Sequence, residues 1–211
     1  LIDPELQGRA EIFSKSELVI CGVEAAGLVF HNVDSLLNFE VIQPDGALGR
    51  VGDLVAVVRG STCSLLMAER TALNIMQHLT GIATLTRSFV RAVKGTKAKI
   101  VDTRKTTPGW RLAEKWAVRV GGGNNHRFGL YDAVLIKENH IEPVGSVQKA
   151  IEKARACAPK NMSVEVEVTS LQELEEAVMA KPDAILLDNM SSLQLSQSVS
   201  RVRELVGEAI L

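Results

Sequence analysis

The sequence predicts a small α+β module at the N-terminus followed by a larger α/β domain built as a barrel. From about residue 97, β-branched stretches alternate with segments of helical periodicity, which is typical of parallel sheets with right-handed crossovers. Each stretch also ends in charged residues, as expected where strand ends converge on the mouth of a barrel. The predicted strands cover residues 99–105 (KIVDTRK), 133–140 (AVLIKENH), 163–168 (SVEVEV) and 184–189 (AILLDN).

The N-terminal module, residues 1–95, has a different pattern. Short strands are expected at 17–21, 39–43 and 54–59, with a helix over 23–30 and a PDG turn at 44–46. A long amphipathic helix is expected from residue 64, and it forms the connector to the second domain. Gly81 is expected to break this helix, after which a second helix continues to about Val93.

The second domain, residues 96–211, is expected to contain a helix after each strand. These helices are predicted over residues 109–120, 145–158, 171–180 and 191–206. The four strands fall short of the roughly eight that a closed βα barrel needs. Either the sheet is open or the sequence is a fragment.

Composition excludes several classes of protein. The net charge of −1 gives no global basic field for nucleic acid or an anionic membrane. No apolar run approaches the roughly 20 residues that span a bilayer, and no signal peptide is visible. The cysteines are odd in number and far apart, so we expect the reduced thiols of a cytoplasmic protein: Cys21, Cys63 and Cys157.

A loop at 102–111 (DTRKTTPGWR) concentrates cations and hydroxyls. Arg104 offers a planar fork for a carboxylate or phosphate, and Lys105 offers a point charge beside Thr103. The loop lacks the glycines and the Lys-Ser/Thr ending of a P-loop, which argues against a nucleoside triphosphate. It predicts a site for a small anion, although a solvated surface loop would have a similar composition.

A glycine-rich segment at 120–132 (VGGGNNHRFGLYD) follows. Its three consecutive glycines allow either a close approach of the backbone to a ligand or an irregular turn. The spacing differs from that of a dinucleotide-binding fingerprint. His126 and Arg127 then add a hydrogen-bonding ring and a guanidinium to the predicted anion site.

Charged residues at the last three strand ends complete the predicted site. Lys137 would be costly to bury without an anion, although its ammonium group could also reach the solvent at the rim. Glu165 and Glu167 share one face of their strand because side chains alternate along it, and Asp188 ends the next strand. Carboxylates of this kind suit Mg²⁺ together with a phosphorylated sugar.

With these motifs the sequence resembles the quinolinate phosphoribosyltransferase family. The resemblance rests on residues 68–84 (AERTALNIMQHLTGIAT), DTRKTTPGWR, 114–141 (EKWAVRVGGGNNHRFGLYDAVLIKENHI), VEVEV and 185–190 (ILLDNM), and it covers nearly the whole chain. It implies an α/β sandwich domain, an incomplete α/β barrel of the seven-stranded type, and a homodimer or higher oligomer. The family's further segments before Leu1 and after Leu211 would include loops that bind the 5′-phosphate, so we expect the last barrel strands to be missing here.

The resemblance also implies an activity and a set of residues. The activity is transfer of phosphoribosyl from phosphoribosyl pyrophosphate to quinolinate with decarboxylation, in NAD biosynthesis and with Mg²⁺. The positions that match the quinolinate-binding residues are Thr103, Arg104, Lys105, His126, Arg127, Lys137 and, from the partner subunit, Arg70. Ribose hydroxyls and Mg²⁺ would be held, the metal indirectly, by Glu167 and Asp188, with Glu165 less certain. The catalytic set would be Lys105, Lys137, Glu167 and Asp188.

Three alternatives stay open. A nicotinate-type phosphoribosyltransferase of the same fold is one, although four converging cations exceed what one carboxylate needs. A truncated, non-catalytic subunit is the second. A phosphosugar aldolase or isomerase is the third, and it ranks low because Lys105 and Lys137 lie among other charges, whereas a Schiff-base lysine is desolvated.

Overall fold

Residues 2–206 are described by a computed structural model. By its internal contacts the chain divides into two units, Leu1–His126 and Arg127–Leu211. The domain boundary expected at residue 95 stays a prediction. No helix among residues 2–206 is long and apolar enough to cross a bilayer.

The first unit combines an antiparallel sheet with three helices. Its three-stranded sheet has the order β1-β5-β3, and a second pair joins β2 and β4. The strands are β1 (Gln7–Phe13), β2 (Leu18–Val19), β3 (Asn38–Val41), β4 (Leu48–Gly49) and β5 (Leu54–Ser61). The helices are α1 (Val23–Val33), α2 (Thr62–Ala92) and α3 (Arg111–Val120).

The core of the first unit lies between the sheet and helices α1 and α2. β5 is the central strand, and its residues from Val55 to Val58 are all at most 3% exposed. Helix α2 presents Ala68, Ala72 and Met76 to this core, one helical turn apart. Burial of an apolar stripe of this kind is the main source of stability for an amphipathic helix.

Helix α2 is continuous over 31 residues, so the expected break at Gly81 was wrong. No atom lies within 4 Å of the position that a Cβ on Gly81 would occupy. A single glycine in a helix costs about 1 kcal/mol relative to alanine. The buried residues that flank Gly81, Leu79 and Ala83, pack against α3 and β2 in one cluster, and this packing offsets that cost.

The second unit alternates parallel strands with helices. Its strands are ordered β6-β7-β8, and both pairings are parallel, which is the expected mixed α/β architecture. The strands are β6 (Val134–Ile136), β7 (Val164–Val168) and β8 (Ala184–Leu187). The helices are α4 (Glu138–Val144), α5 (Val147–Cys157), α6 (Leu171–Ala180) and α7 (Ser192–Val206).

Two predicted strands differ in the structure. Residues 99–105 form no strand, and Val101 makes only an isolated parallel bridge to Asn124. The stretch 133–140 is strand only as far as Ile136, after which α4 begins. The ring nitrogen Nδ1 of His140 accepts a hydrogen bond from the backbone N–H of Lys137 at 3.0 Å, and this bond favours the early start of the helix.

Strands β1 and β4 were not predicted. β1 (QGRAEIF) alternates exposed with half-buried positions and has no fully buried residue, so it lacks the apolar run that marked the other strands. Its seven residues nevertheless pair with β5 along their whole length, from Gln7 with Ser61 onwards. Pairing with the central strand, rather than local composition, determines this strand.

Candidate active site

The parallel sheet of the second unit has one apolar face and one polar face. Val164, Val166 and Val168 are buried in the core formed with α5 and α6. Glu165 and Glu167 alternate with them and lie on the opposite face, half-buried. The two glutamates therefore share a face, as alternation along a strand predicts.

Lys137 and Glu167 form an ion pair at the C-terminal edge of that face. Ile136 pairs with Val166 in the register, so the positions that follow them lie side by side. The Nζ of Lys137 contacts Oε2 of Glu167. The glutamate side chain is only 14% exposed, and a carboxylate so far removed from water needs a cation.

Asp188 lies at the same edge, one strand further on. Leu186 is paired with Glu167, and Asp188 follows two residues later. Its backbone N–H donates to the carbonyl of Val168 at 3.0 Å, while the residue itself is exposed. The polar edge therefore presents a lysine, a half-buried glutamate and an exposed aspartate.

Arg127 begins the second unit and is fixed by the chain that enters β6. Its Nη1 donates to the carbonyl of Ala133 at 3.1 Å. The carboxylate of Asp132 closes the intervening loop by accepting backbone N–H bonds from Phe128 at 2.6 Å and Gly129 at 2.9 Å. The guanidinium is thereby oriented before any substrate binds.

In the first unit, the cation loop (residues 103–107) is held by hydrogen bonds to its own backbone. The hydroxyl of Thr103 accepts from the N–H of Lys105 at 3.1 Å, which forms a tight turn around Arg104. Arg111, at the start of α3, donates to the carbonyl of Arg104 at 3.4 Å and to the hydroxyl of Thr106 at 3.2 Å. The loop is therefore tied to the helix that follows it.

Arg104 itself has an unsatisfied donor. Its Nε is inaccessible to solvent and has no hydrogen-bond partner among residues 2–206. A buried N–H without a partner costs free energy, so an anion that accepted this bond would gain from it. Lys105, the next residue, is exposed.

The cation loop is preceded by a buried charge pair that the sequence analysis missed. The side chain of Lys115, on α3, is 2% exposed and that of Asp102 is 7% exposed, and Nζ contacts Oδ1. The same Nζ donates to the carbonyl of His126 at 3.0 Å, and the N–H of His126 donates to Asp102 Oδ1 at 2.9 Å. Nothing in the sequence marks the pair, because Lys115 follows Glu114 and has Arg111 and Arg119 four residues to either side, as on a solvated helix face.

A second interaction fixes the far end of the cation loop. Glu114 Oε2 accepts from the backbone N–H of Thr107 at 3.2 Å, and Oε1 pairs with His78 Nε2 of α2 at 2.8 Å. Burial acts to raise the pKa of Glu114, but the hydrogen bonds from His78 and Thr107 outweigh it and lower this pKa below its ordinary value.

The three consecutive glycines pack against helix α2. A Cβ on Gly121 would lie 2.5 Å from the carbonyl oxygen of Ala83, and one on Gly123 would lie 2.9 Å from the methyl carbon of Thr86. Gly122 has a φ of +94°, which favours glycine. Of the two interpretations left open by the sequence, the structure supports an irregular turn in close contact with a helix.

The whole chain matches two family models. Residues 1–80 match the N-terminal domain of quinolinate phosphoribosyl transferase, and residues 82–211 match the C-terminal domain. This chain belongs to the quinolinate phosphoribosyltransferase family.

Named relatives agree with the assignment. A probable nicotinate-nucleotide pyrophosphorylase [carboxylating] of Synechocystis is 40% identical over 94% of this chain and 67% of its own length. The corresponding protein of Mycobacterium leprae is 48% identical over 87% of this chain and 65% of its own. The crystal structure of NadC from Streptococcus pyogenes is 48% identical, has a TM-score of 0.89, and is matched over 95% of this chain and 71% of its own.

The structure places the residues expected for a quinolinate phosphoribosyltransferase in two groups. Within the first unit, Asp102 links the cation loop to His126. The second unit holds the other group, which comprises Arg127, Lys137, Glu165, Glu167 and Asp188. Arg70 lies on an exposed face of α2, and no hydrogen bond or ion pair to its side chain forms within residues 2–206.

The residues present suit a metal that arrives with its substrate. Within the described part of the chain, no three metal-ligating side chains cluster closely enough to form a complete metal site. Mg²⁺ commonly binds through one or two carboxylates together with substrate phosphates. Glu167, which is paired with Lys137, and the exposed Asp188 are the carboxylates that would hold such a metal at the polar edge of the sheet.

Proposed function

We propose that this chain provides the quinolinate phosphoribosyltransferase activity of NAD biosynthesis. The reaction transfers phosphoribosyl from phosphoribosyl pyrophosphate to quinolinate and yields nicotinate mononucleotide, pyrophosphate and CO₂. The proposal rests above all on Arg104, whose buried Nε has no acceptor among the described residues although its loop is held by hydrogen bonds at Thr103 and Arg104. Membership of the family supplies the identity of the acceptor.

Quinolinate carries two carboxylates, which need several cations. Arg104 and Arg127 would each form charge-assisted bonds, and an arginine fork can bind a carboxylate through two donors at once. Lys137 would add a point charge, and Thr103, Lys105 and His126 would complete the site. The backbone carbonyl of Arg104 and the guanidinium of Arg127 are each held by a hydrogen bond before binding, so these cations can orient the ring nitrogen toward the ribose at low entropic cost.

Glu167 and Asp188 would serve the ribose. As pyrophosphate leaves, positive charge develops at C1 and the ring oxygen of the sugar, and nearby carboxylates stabilise it. The carboxylates would also hold the ribose hydroxyls and, indirectly, the Mg²⁺ that accompanies the phosphates. Bound Mg²⁺ offsets the negative charge that builds on the leaving group.

Decarboxylation follows from the product of the first step. Once the ring nitrogen of quinolinate is bonded to C1, it is quaternary and positively charged. Its positive charge then stabilises the electron pair that stays on C2 when the bond from C2 to the carboxylate breaks and CO₂ departs, and C2 takes up a proton from the solvent to give the product. Lys105 and Lys137 are the lysines of the predicted catalytic set that would lie near this carboxylate.

The proposal includes the assembly and the surroundings of the enzyme. A homodimer, in which Arg70 completes the partner's site, is supported by the exposure of Arg70 beside Leu66 and Met67, which are 55% and 66% exposed. An incomplete barrel of the seven-stranded type is supported by the parallel order β6-β7-β8. A cytoplasmic location is supported by the three free thiols, which suit a reducing compartment.

Calorimetric titration of the protein with quinolinate and with nicotinate tests the proposal. Quinolinate should bind more tightly, and Arg104→Ala should weaken its binding by about 1.5–3 kcal/mol because a charge-assisted contact is lost. Arg50→Ala is the matched control, since Arg50 is exposed and its side chain makes no bond among the described residues.

Two results would count against the proposal. Unchanged quinolinate affinity in Arg104→Ala would remove the residue on which it rests. Tighter binding of nicotinate than of quinolinate would favour the nicotinate-type alternative instead.

A further inference from the structure

We propose that Asp102 and Lys115 are positioning residues, which hold the two quinolinate-binding segments of the first unit in their working conformation. This inference rests on the proposed function. It adds residues that neither bind substrate nor appear in the predicted site.

Asp102 and Lys115 contact both segments from the same buried position. Asp102 immediately precedes Thr103 and Arg104, so fixing its side chain fixes the start of the cation loop. His126 is held at both backbone groups, because its N–H donates to Asp102 Oδ1 and its carbonyl accepts from Lys115 Nζ. No substrate contact is required for either role.

Asn125 adds to the same network. With its amide oriented to satisfy its hydrogen bonds, its nitrogen donates to Asp102 Oδ2 at 2.9 Å and to the carbonyl of Lys115 at 3.0 Å. Both carboxylate oxygens of Asp102 are thus occupied by groups of the protein. Its side chain is only 7% exposed, so Asp102 is better explained by these protein contacts than by a bond to substrate.

Regular secondary structure does not hold these segments together. Only one isolated bridge, Val101 to Asn124, joins them, supported by backbone bonds from Asn124 to Ile100 at 2.8 Å and from Asp102 to Asn124 at 3.2 Å. The charge pair takes the place of the ladder that a longer strand would provide. Without this pair, the binding residues would still be present, but the two segments would no longer be held in a fixed position relative to each other.

A buried ion pair is a poor device for stability alone. Removing two charges from water is costly, and replacing such a pair by apolar residues is often neutral or stabilising. Lys115, whose side chain is 2% exposed, is therefore better explained by the geometry that it imposes on His126 and the cation loop. A role in stability and a role in positioning predict different behaviour of the single and double variants.

The variants are Asp102→Asn, Lys115→Met and the double variant Asp102→Leu with Lys115→Met. Each single change leaves one buried charge without its partner and should lower thermal stability. The double change removes both charges and should recover much of the lost stability. Val58→Ala is the matched control, because it weakens the core of the same unit far along the sequence from either segment.

Two readouts separate positioning from stability. Amide hydrogen exchange should accelerate at residues 103–107 and 124–126 in all three variants but not in Val58→Ala. Quinolinate affinity should fall by about tenfold to a hundredfold, even in the double variant whose stability has recovered, since small misplacements of binding groups are costly.

The outcomes distinguish this inference from the proposed function. If the double variant folds and binds quinolinate like the wild type, or if exchange in the two segments is unchanged, the positioning role is overturned. If the unaltered protein fails to bind quinolinate while exchange responds as expected, the proposed function fails and the anchoring role stands. If the single variants do not fold, the hydrogen exchange and quinolinate affinity of the double variant decide whether the positioning role holds.

Discussion

At the scale of single residues, the same amino acid has opposite consequences in different surroundings. Gly81 lies in the middle of α2, where a side chain would meet open space. Gly121 lies where α3 turns back against α2, and a side chain there would meet the backbone of Ala83. Sequence alone treats both as breaks or flexible points, because the distinction depends on what lies nearby.

Alanine substitutions should therefore change stability in opposite directions. We expect Gly81→Ala to stabilise the first unit by up to about 1 kcal/mol through helix propensity. Gly121→Ala should destabilise it by about 1–3 kcal/mol, because a backbone oxygen at 2.5 Å cannot be displaced cheaply. Urea unfolding of both variants is the measurement, and each serves as the other's control. Equal effects would contradict the packing described here.

The limits of sequence-based reasoning are also clearest for individual residues. Arg104 and Lys137 could be singled out because cations at predicted strand ends are unusual, and Arg127 because it lies in a glycine-rich segment. Their binding roles stay predictions. Asp102 and Lys115 could not, because charged residues in a loop and on a helix are normally solvated. Only the folded structure shows that the two side chains meet in the interior.

At the scale of elements, helices were predicted more accurately than strands. Helix α6 has the predicted bounds, 171–180, because a periodic apolar stripe specifies a helix locally. Stretch 99–105 resembles a strand in composition yet forms only an isolated bridge, since strand formation depends on a partner elsewhere in the chain.

The interaction between His78 of α2 and Glu114 of α3 should make the free energy of unfolding depend on pH. The pKa of Glu114 is lowered from 4.5 in the folded protein, so its contribution is present above about pH 4.5 and is lost as the pH falls through the folded value. Glu114→Gln should therefore be less stable than the wild type at pH 6, and the difference should shrink toward pH 3.

Chemical denaturation at several pH values measures this difference. Glu138→Gln is a suitable control, because that glutamate is exposed and has no resolved side-chain partner among residues 2–206. A constant difference between wild type and Glu114→Gln from pH 6 to pH 3 would contradict the lowered pKa of Glu114.

At the scale of the whole molecule, the mixed α/β class and the family were predictable, whereas assembly was not. Alternating patterns identify parallel βαβ units, and the order β6-β7-β8 agrees with them. Long-range relations such as the closure of a barrel or the pairing of subunits depend on surfaces that leave no periodic pattern in the sequence. They stay proposals here.

A shared site between subunits is nevertheless testable. If Arg70 serves the partner's site, then mixing an Arg70→Ala subunit with an Arg104→Ala subunit of the whole protein should restore activity, because one site of each heterodimer keeps both arginines. Each parent alone should be nearly inactive. The assay follows release of CO₂ from quinolinate after subunit exchange has been verified by mass. No recovery in exchanged mixtures would rule out the shared site.

The buried pair of Asp102 and Lys115 also has an evolutionary consequence. Replacing either residue alone leaves an uncompensated charge in the interior, at a cost of about 3–5 kcal/mol, out of a total stability of about 5–15 kcal/mol for a typical protein. A lineage that loses one partner would therefore lose a large part of its stability before the second could change. Among homologues, the two positions should be inherited together, while exposed pairs such as Arg59 with Glu40 should diverge freely.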